Sequence, residues 1–301
     1  MDGACGPNAA AGAENRPRPC LLVLGMHRSG TSALARGLAV LGADLGDELL
    51  PEHPCNPRGF FEDRDIYACN KALLGALGLA WADAAPVEPR RLVALAAGET
   101  GAQALELVRR KIAGRPLPAF KDPRMSRLMP FWRPVLAAAG LMPACLLALR
   151  HPDAVAQSLA RRDGMAAETA HALWLCHTLD ALDGSRGLPR LLVSYERLLA
   201  APGRELARIG HALGLRVDAE ALAVFAGEFL DAALCHHGAP AAAGGGEEPR
   251  GLCARLSPRL HAALEELAAA LPETLEQGLA RARLARLRGQ AREALAGARL
   301  P

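Results

Sequence analysis

The sequence predicts an α/β fold, in which a P-loop-like parallel sheet is flanked by helices and followed by a helical C-terminal extension. Three observations support this fold class. Short apolar runs bounded by turn residues recur along the chain, as buried strands do. Segments of helical periodicity separate these runs, which is typical of a parallel sheet covered on both faces. Hydrophobic residues make up 51% of the 301 residues, which is enough for one large core.

Four apolar runs are the predicted strands: CLLVLG at 20–25, LPAFK at 117–121, ACLLAL at 144–149 and RLLVSYE at 190–196. The helical patterns lie at 30–42, 63–75, 101–113, 126–139, 153–162, 166–183 and 218–229. Ligands of parallel sheets bind at the carboxyl ends of the strands. The residues that directly follow the predicted strands are therefore the first candidates for a functional site.

The chain divides into four predicted segments. Residues 1–19 are rich in Gly, Pro, Asn and Ala and lack an apolar run, which predicts a disordered tail rather than a signal peptide. Residues 20–235 form the predicted α/β domain. Residues 236–252 (HHGAPAAAGGGEEPRGL) have the low complexity of a flexible linker or flap. Residues 253–301 form the predicted helical extension.

Two helices are expected in the extension, at 257–270 and 273–298. The second carries an approximate leucine stripe: Leu275, Leu279, Leu284, Leu287 and Leu295. Such a stripe favours packing on the chain's own domain. A homodimer formed through the C-terminal helices is the alternative.

Composition excludes several classes of protein. The net charge is +3, and no basic run with interleaved aromatics appears, which argues against nucleic-acid binding. No apolar stretch approaches the ~20 residues of a membrane span. The eight cysteines are scattered without a C-x-x-C pair, so neither a metal site nor a disulfide framework is expected. His236 and His237 lack neighbouring ligand spacing, so no metal is predicted there. A cytoplasmic location follows as the expectation.

The stretch LLVLGMHRSGTSALARGL (21–38) has the pattern of a phosphate-binding loop. A predicted strand enters Gly25, four residues pass, and Gly30 opens a helix, so backbone N–H groups and a helix N-terminus face one point. A Walker A loop continues with lysine and then serine or threonine. Here Thr31 and Ser32 follow the glycine, and the cation, Arg28, precedes it. The pattern favours an anion site without magnesium-dependent nucleotide hydrolysis.

A second motif, LRHPDAVAQSLARR (149–162), places Arg150 at a strand end and Ser158 two turns into the next helix. Both side chains are expected to reach one phosphate. Taken alone the motif is weak, because Arg150 is equally suited to pairing with a carboxylate and Ser158 to a solvated helix face. In combination with the first loop, the motif is a specific signal for a phosphate-binding site.

Together these motifs resemble the sulfotransferase superfamily, whose members carry a sulfonate group from 3′-phosphoadenosine-5′-phosphosulfate (PAPS) to a hydroxyl or amine. HRSGTS (27–32) is similar to the family's 5′-phosphosulfate loop, and RHPDAVAQS to its 3′-phosphate motif. The likeness extends through NPRGFFED (56–63), FKDPRMSRLMPFW (120–132) and VSYERLLAAP (193–202), and it points to the bacterial, carbohydrate-sulfotransferase-like branch. The RKGxxGDW-type segment of the cytosolic branch has no evident counterpart.

The resemblance implies a role for each motif residue. It implies that the 5′-phosphosulfate is bound by Arg28, Ser29, Gly30, Thr31 and Ser32, and the 3′-phosphate by Arg150 and Ser158. PAPS is then the co-substrate, adenosine 3′,5′-bisphosphate the product, and no metal takes part.

The catalytic base is predicted to be Glu62, with Arg28 and Lys121 as the other catalytic residues. Cytosolic members use a histidine near the strand end, where this sequence has Pro123, whereas the carbohydrate branch uses a glutamate. Burial beside Phe60 and Phe61 is expected to raise the pKa of Glu62. A surface carboxylate at a helix start is the alternative for Glu62. Asp122, Glu52 and His53 are further candidates for the base.

Other polar residues follow strands without a clear role. Lys121 and Arg124 are expected to contact the sulfonate or an acidic acceptor, or else to form a structural ion pair. Tyr195 and Glu196 are predicted to end the strand of VSYERLL. The acceptor is predicted to be a saccharide hydroxyl. Two other functions remain open: a catalytically silent nucleotide-binding protein, or a P-loop small-molecule kinase.

Overall fold

The computed structural model describes residues 17–54, 56–230, 251–269 and 279–297. Most of the predicted tail and flap therefore lie outside the described residues. The strands are β1 (Arg18–Leu24), β2 (Ala119–Lys121), β3 (Leu141–Leu149) and β4 (Arg190–Ser194). The first eight helices in chain order are α1 (Thr31–Leu38), α2 (Arg64–Ala76), α3 (Pro89–Ala97), α4 (Glu99–Ile112), α5 (Met125–Ala138), α6 (Pro152–Asp163), α7 (Ala167–Gly184) and α8 (Tyr195–Ala200). They are followed by α9 (Pro202–Leu213), α10 (Ala219–Val224), α11 (Leu252–Ala269) and α12 (Leu279–Gly297).

The four strands form one parallel sheet in the order β2-β1-β3-β4. Alternate side chains enter two separate cores, because successive residues of a strand point to opposite faces. In β1, Leu22 and Leu24 pack with α2, α4, α5 and α7, whereas Leu21 and Val23 pack with α1 and α9. The predicted doubly covered parallel sheet is confirmed.

The strand order creates a switch point between β1 and β3. The chain leaves β1 toward one side of the sheet, to β2, and leaves β3 toward the other side, to β4. At such a point the two connections diverge and leave a crevice beyond the carboxyl ends of the strands. The two predicted phosphate motifs, which follow β1 and β3, therefore meet at one place.

The boundaries near β4 differ from the prediction. The strand ends at Ser194, so Tyr195 and Glu196 begin α8 instead of ending the strand. The Ser194 hydroxyl caps this helix by accepting a hydrogen bond from the Arg197 N–H at 3.4 Å. A serine directly before a helix favours helix initiation. The prediction instead extended the strand through Tyr195 and Glu196, because an apolar run precedes them.

Two further helices, α3 and α9, were not expected. Each has its proline, Pro89 or Pro202, at the first helical position, where a missing N–H costs nothing. The helix expected at 218–229 consists of α10 followed by a π-helical turn, Phe225–Phe229.

The C-terminal helices pack on the same core as the sheet. Leu260 and Leu264 of α11 are fully buried there. Leu284, Leu287 and Leu295 of α12 are also buried in this core, with only 5–6% of their surface exposed. Three leucines of the predicted stripe therefore face the chain itself, as the favoured interpretation expected; Leu275 lies outside the described residues. A homodimer through these helices stays a prediction. Within the described ranges, no helix combines the length and apolarity needed to cross a membrane.

Candidate active site

A cavity of about 370 Å³ lies beyond the carboxyl ends of β1 and β3, a volume in the range of small-molecule sites. It is strongly cationic. Among the described residues that line it, five are basic and one is acidic: Arg28, Arg58, Lys121, Arg150 and Arg162 against Glu62. A cavity with this balance suits a ligand of multiple negative charge.

The loop between β1 and α1 adopts the geometry of an anion site. Gly30 lies in the left-handed region (φ 81°) and starts α1 without any side-chain cap. A side chain cannot replace its hydrogen, because a Cβ there would lie 2.1 Å from the ring of Tyr195. Arg28 also has a positive φ, 68°, which is strained for an arginine. Within the described residues, no side chain caps the first N–H groups of α1, a geometry that suits an anion.

The two predicted arginines line the same cavity. The Arg28 Nε donates a hydrogen bond to the Ser158 hydroxyl at 2.8 Å. Arg150 donates to the backbone carbonyl of Arg28 at 2.9 Å, and its guanidinium stacks 4.7 Å from the centre of the Tyr195 ring. The buried Arg150 Nε has no hydrogen-bond partner among the described residues. These contacts hold the two arginines side by side at the cavity.

Ser158 and Ser29 make contacts that the motifs alone did not specify. Ser158 contacts Arg28 rather than Arg150, so the structure places it to orient the first arginine. Ser29 is 1% exposed and does not line the cavity, and its hydroxyl has no partner within the described part of the chain. The predicted phosphate contacts of both residues stay predictions.

Glu62 and Lys121 form a buried ion pair at the other side of the cavity. The Lys121 Nζ lies 2.6 Å from Glu62 Oε1, 2.9 Å from the Phe60 carbonyl and 3.3 Å from the Ser32 hydroxyl. Glu62 is 4% exposed. Burial raises the pKa of Glu62 above its usual value, although the charge of Lys121 opposes the rise. Glu62 is therefore a buried carboxylate of enhanced basicity that lines the cavity, not a surface group.

The other candidates for the base are less suitable. Asp122 is fully buried but accepts hydrogen bonds from Asn70 and Arg124, and it does not line the cavity. Glu52 and His53 are exposed. Arg124 pairs with Asp122 at 2.9 Å and stacks on the Tyr67 ring, so it has the structural role that was its alternative. Pro123 lines the cavity.

His27 is a cavity residue that the motif analysis did not single out. Its ring lies 4.8 Å from the ring of Trp81, and its buried Nε2 has no hydrogen-bond partner among the residues described. Burial, followed by the charge of Arg124, lowers the pKa of His27 well below its usual range, so the imidazole is neutral. Its position directly before Arg28 was the signal available in the sequence. Arg162, which also lines the cavity and stacks on Trp81, had no such signal.

Comparison with solved structures identifies the fold. The chain is similar to the sulfotransferase domain from the Synechococcus PCC 7002 olefin synthase, with 20% identity, a TM-score of 0.50, and coverage of 83% of this chain and 96% of that one. It also matches the sulfotransferase domain from the curacin biosynthetic pathway, with 15% identity, a TM-score of 0.43, and coverage of 95% and 100%. No protein-family model matches the chain, and no curated protein matches it.

The chain therefore has the α/β fold of sulfotransferase domains. The resemblance drawn from its motifs is confirmed at this level. The carbohydrate-sulfotransferase-like branch stays a prediction.

Proposed function

We propose that this protein is a sulfotransferase that moves the sulfonate group from PAPS to an acceptor hydroxyl. One observation carries the proposal: Arg28 and Arg150, which follow neighbouring strands, line one cavity with the buried Glu62–Lys121 pair. The fold supports the same class of reaction. The five basic residues of the cavity suit a nucleotide with phosphates at two positions, and the vacant hydrogen-bonding capacity of Arg150 Nε fits an anionic ligand.

The donor half of the site follows from the arginine geometry. Arg28 and the N-terminus of α1 would bind the 5′-phosphosulfate, and Arg150, beside the Tyr195 ring, would bind the 3′-phosphate. Arginine presents several N–H donors in a plane, which matches the oxygens of phosphate and sulfonate groups. Fixed donors of this kind stabilise the charge that develops on a leaving oxygen. The arginines would therefore do in this site what a metal ion does in many phosphoryl-transfer enzymes.

The acceptor half follows from Glu62. As the acceptor oxygen bonds to sulfur, the bond between sulfur and the phosphate oxygen breaks, and its electron pair passes to the 5′-phosphate. Glu62 would accept the proton of the acceptor hydroxyl, which is general base catalysis worth about 10²–10⁴-fold. Lys121, between Ser32 and Glu62, would stabilise the transferring group and keep the carboxylate ionised.

A transfer assay tests the proposal. Purified protein is incubated with PAPS and a panel of saccharides and aliphatic alcohols, and sulfated products are detected by mass spectrometry. The panel includes saccharides because a saccharide is the acceptor predicted from the sequence. It includes simple alcohols because the proposal requires only an acceptor hydroxyl. Formation of a sulfated product together with adenosine 3′,5′-bisphosphate is expected from wild type and not from Glu62→Gln.

Binding measurements separate the alternatives. Calorimetry with adenosine 3′,5′-bisphosphate, and with ATP and magnesium, compares the two ligands directly. A preference for ATP with magnesium would overturn the proposal in favour of a P-loop kinase. Tight bisphosphate binding without transfer to any acceptor, unchanged by Glu62→Gln, would indicate a silent binding protein. Glu52→Gln, on an exposed glutamate that does not line the cavity, is the matched control and should leave both readouts unchanged.

A further inference from the structure

A second cluster of polar side chains lies where α11, which packs beside β4, passes the start of α8. His261 and Glu265 are four residues apart on α11, so both project from the same face of the helix. Glu196, in the first turn of α8, faces them. One possible ligand atom from each of the three residues lies within 4.8 Å of the other two. None of the three residues lines the donor cavity.

Two atoms of this cluster are buried without hydrogen-bond partners. The His261 Nε2 and the Glu265 Oε1 both lack a partner among the described residues, although His261 is only 7% exposed. The two atoms are 3.7 Å apart, too far for a hydrogen bond. Buried polar atoms without partners are uncommon in protein interiors, so this pair points to a site that can take a ligand.

Other carboxylate oxygens of the cluster accept hydrogen bonds from residues outside it. Glu265 Oε2 accepts a hydrogen bond from Arg197 at 3.1 Å, and Glu196 Oε1 accepts one from the backbone N–H of His151 at 3.2 Å. The Ser194 hydroxyl donates to Glu196 Oε2 at 3.5 Å and also hydrogen-bonds the Glu265 carboxylate. Outer contacts of this kind orient ligands toward a metal. Glu265 Oε1 and His261 Nε2 lie 3.7 Å apart.

The charges of the cluster also suit a cation. Its two carboxylates, Glu196 and Glu265, each bring an oxygen within 4.8 Å of a ring nitrogen of His261. Glu196 and Glu265 repel each other, and Arg197 offsets only one of the two negative charges.

We propose that Glu196, His261 and Glu265 form a binding site for a divalent transition-metal ion of the zinc type. One imidazole nitrogen and two carboxylate oxygens are a ligand set that zinc uses, with a fourth position for water. The ion would join α11 to the start of α8, next to Tyr195, which packs on Gly30 and Arg150. Its role is structural and independent of the sulfonate transfer proposed above.

The test uses the full chain, stripped of metal by a chelator and titrated with zinc chloride. Calorimetry should show one equivalent of zinc bound, and the thermal midpoint should rise with zinc, because a ligand that binds only the folded state stabilises it. Titration with cobalt chloride should give a visible spectrum of nitrogen and oxygen ligation without a thiolate charge-transfer band. That band would assign binding to cysteine and overturn the proposal.

Variants locate the site. Glu265→Gln and His261→Gln should each weaken zinc binding at least tenfold, whereas His211→Gln, on an exposed histidine of α9, should not. Circular dichroism establishes that the variants are folded. If a variant unfolds, the ¹⁵N chemical shift of His261 Nε2 is measured in the wild-type protein instead, with and without zinc. Zinc ligation should move that resonance. No zinc uptake by wild type, uptake that is equal in all variants, or an unmoved resonance would each overturn the proposal.

Discussion

Arg150 donates a hydrogen bond to the backbone carbonyl of Arg28 at 2.9 Å, although 122 residues separate them in the chain. The contact joins the loop after β1 to the residue after β3 across the switch point of the sheet. It places two guanidinium groups at one cavity and fixes the strained backbone of Arg28. The opposite finding, with the two groups on different faces of the molecule, would have removed the basis for a shared ligand.

The first prediction concerns Arg150 as a ligand of the donor nucleotide. Arg150→Ala should weaken the binding of adenosine 3′,5′-bisphosphate by about 10- to 100-fold, because a hydrogen bond to a charged group is worth roughly 1.5–3 kcal/mol. Calorimetry measures the change. Arg161→Ala removes an exposed arginine of α6 and should change the affinity by less than about twofold. Equal effects of the two substitutions would contradict the assignment.

Ser158 is predicted to act through Arg28. Ser158→Ala removes the acceptor of the 2.8 Å hydrogen bond from Arg28 Nε, so the affinity for the bisphosphate should fall by about 3- to 10-fold. Ser158→Thr keeps the hydroxyl and should restore most of the affinity. Double-mutant analysis with Arg28→Ala checks the coupling: if Ser158→Ala costs as much without Arg28 as with it, the two side chains act independently.

Gly30 tests the close approach of the loop to Tyr195. Gly30→Ala should destabilise the fold by roughly 2–4 kcal/mol, because the left-handed backbone is strained and the new methyl group overlaps the ring. Gly42 has nearly the same φ, 79°, but open space around its Cβ position. Gly42→Ala should therefore cost only the backbone strain, about 1–2 kcal/mol. Urea denaturation measures both values, and an equal cost would mean that the ring yields freely.

The pH dependence of transfer tests Glu62 as the base. The carboxylate must be ionised to accept a proton, so kcat/KM should fall as the pH falls through the pKa of Glu62, which burial raises. The charge of Lys121 holds this pKa down. Lys121→Gln should therefore raise it further and move the acidic limb of the profile to higher pH, besides lowering the maximal rate. An acidic limb that stays in place would show that another group is the base.

Local sequence patterns were sufficient for the sheet and for the donor loop. Buried parallel strands are continuous apolar runs that can be recognised in a single sequence. The donor loop is likewise local, because the six residues HRSGTS contain both the turn glycine and the arginine expected of an anion site. The helices α3 and α9 were missed because proline breaks a helix in its interior yet suits its first position, and the two cases look alike in a single sequence. Tyr195 was misplaced because an apolar run does not reveal where a strand gives way to a capped helix.

What the sequence by itself determined was the α/β fold class, the positions of the four strands, and the identity of Arg28, Arg150 and Glu62 as chemical groups of interest. Only the tertiary structure decided which groups meet. It paired Glu62 with Lys121, turned Ser158 toward Arg28, and brought Glu196 to His261. The physical reason is that periodicity and turn chemistry act over a few residues, whereas these contacts join residues 59 to 130 positions apart. Such contacts arise only when the packing of helices on the sheet fixes their relative positions.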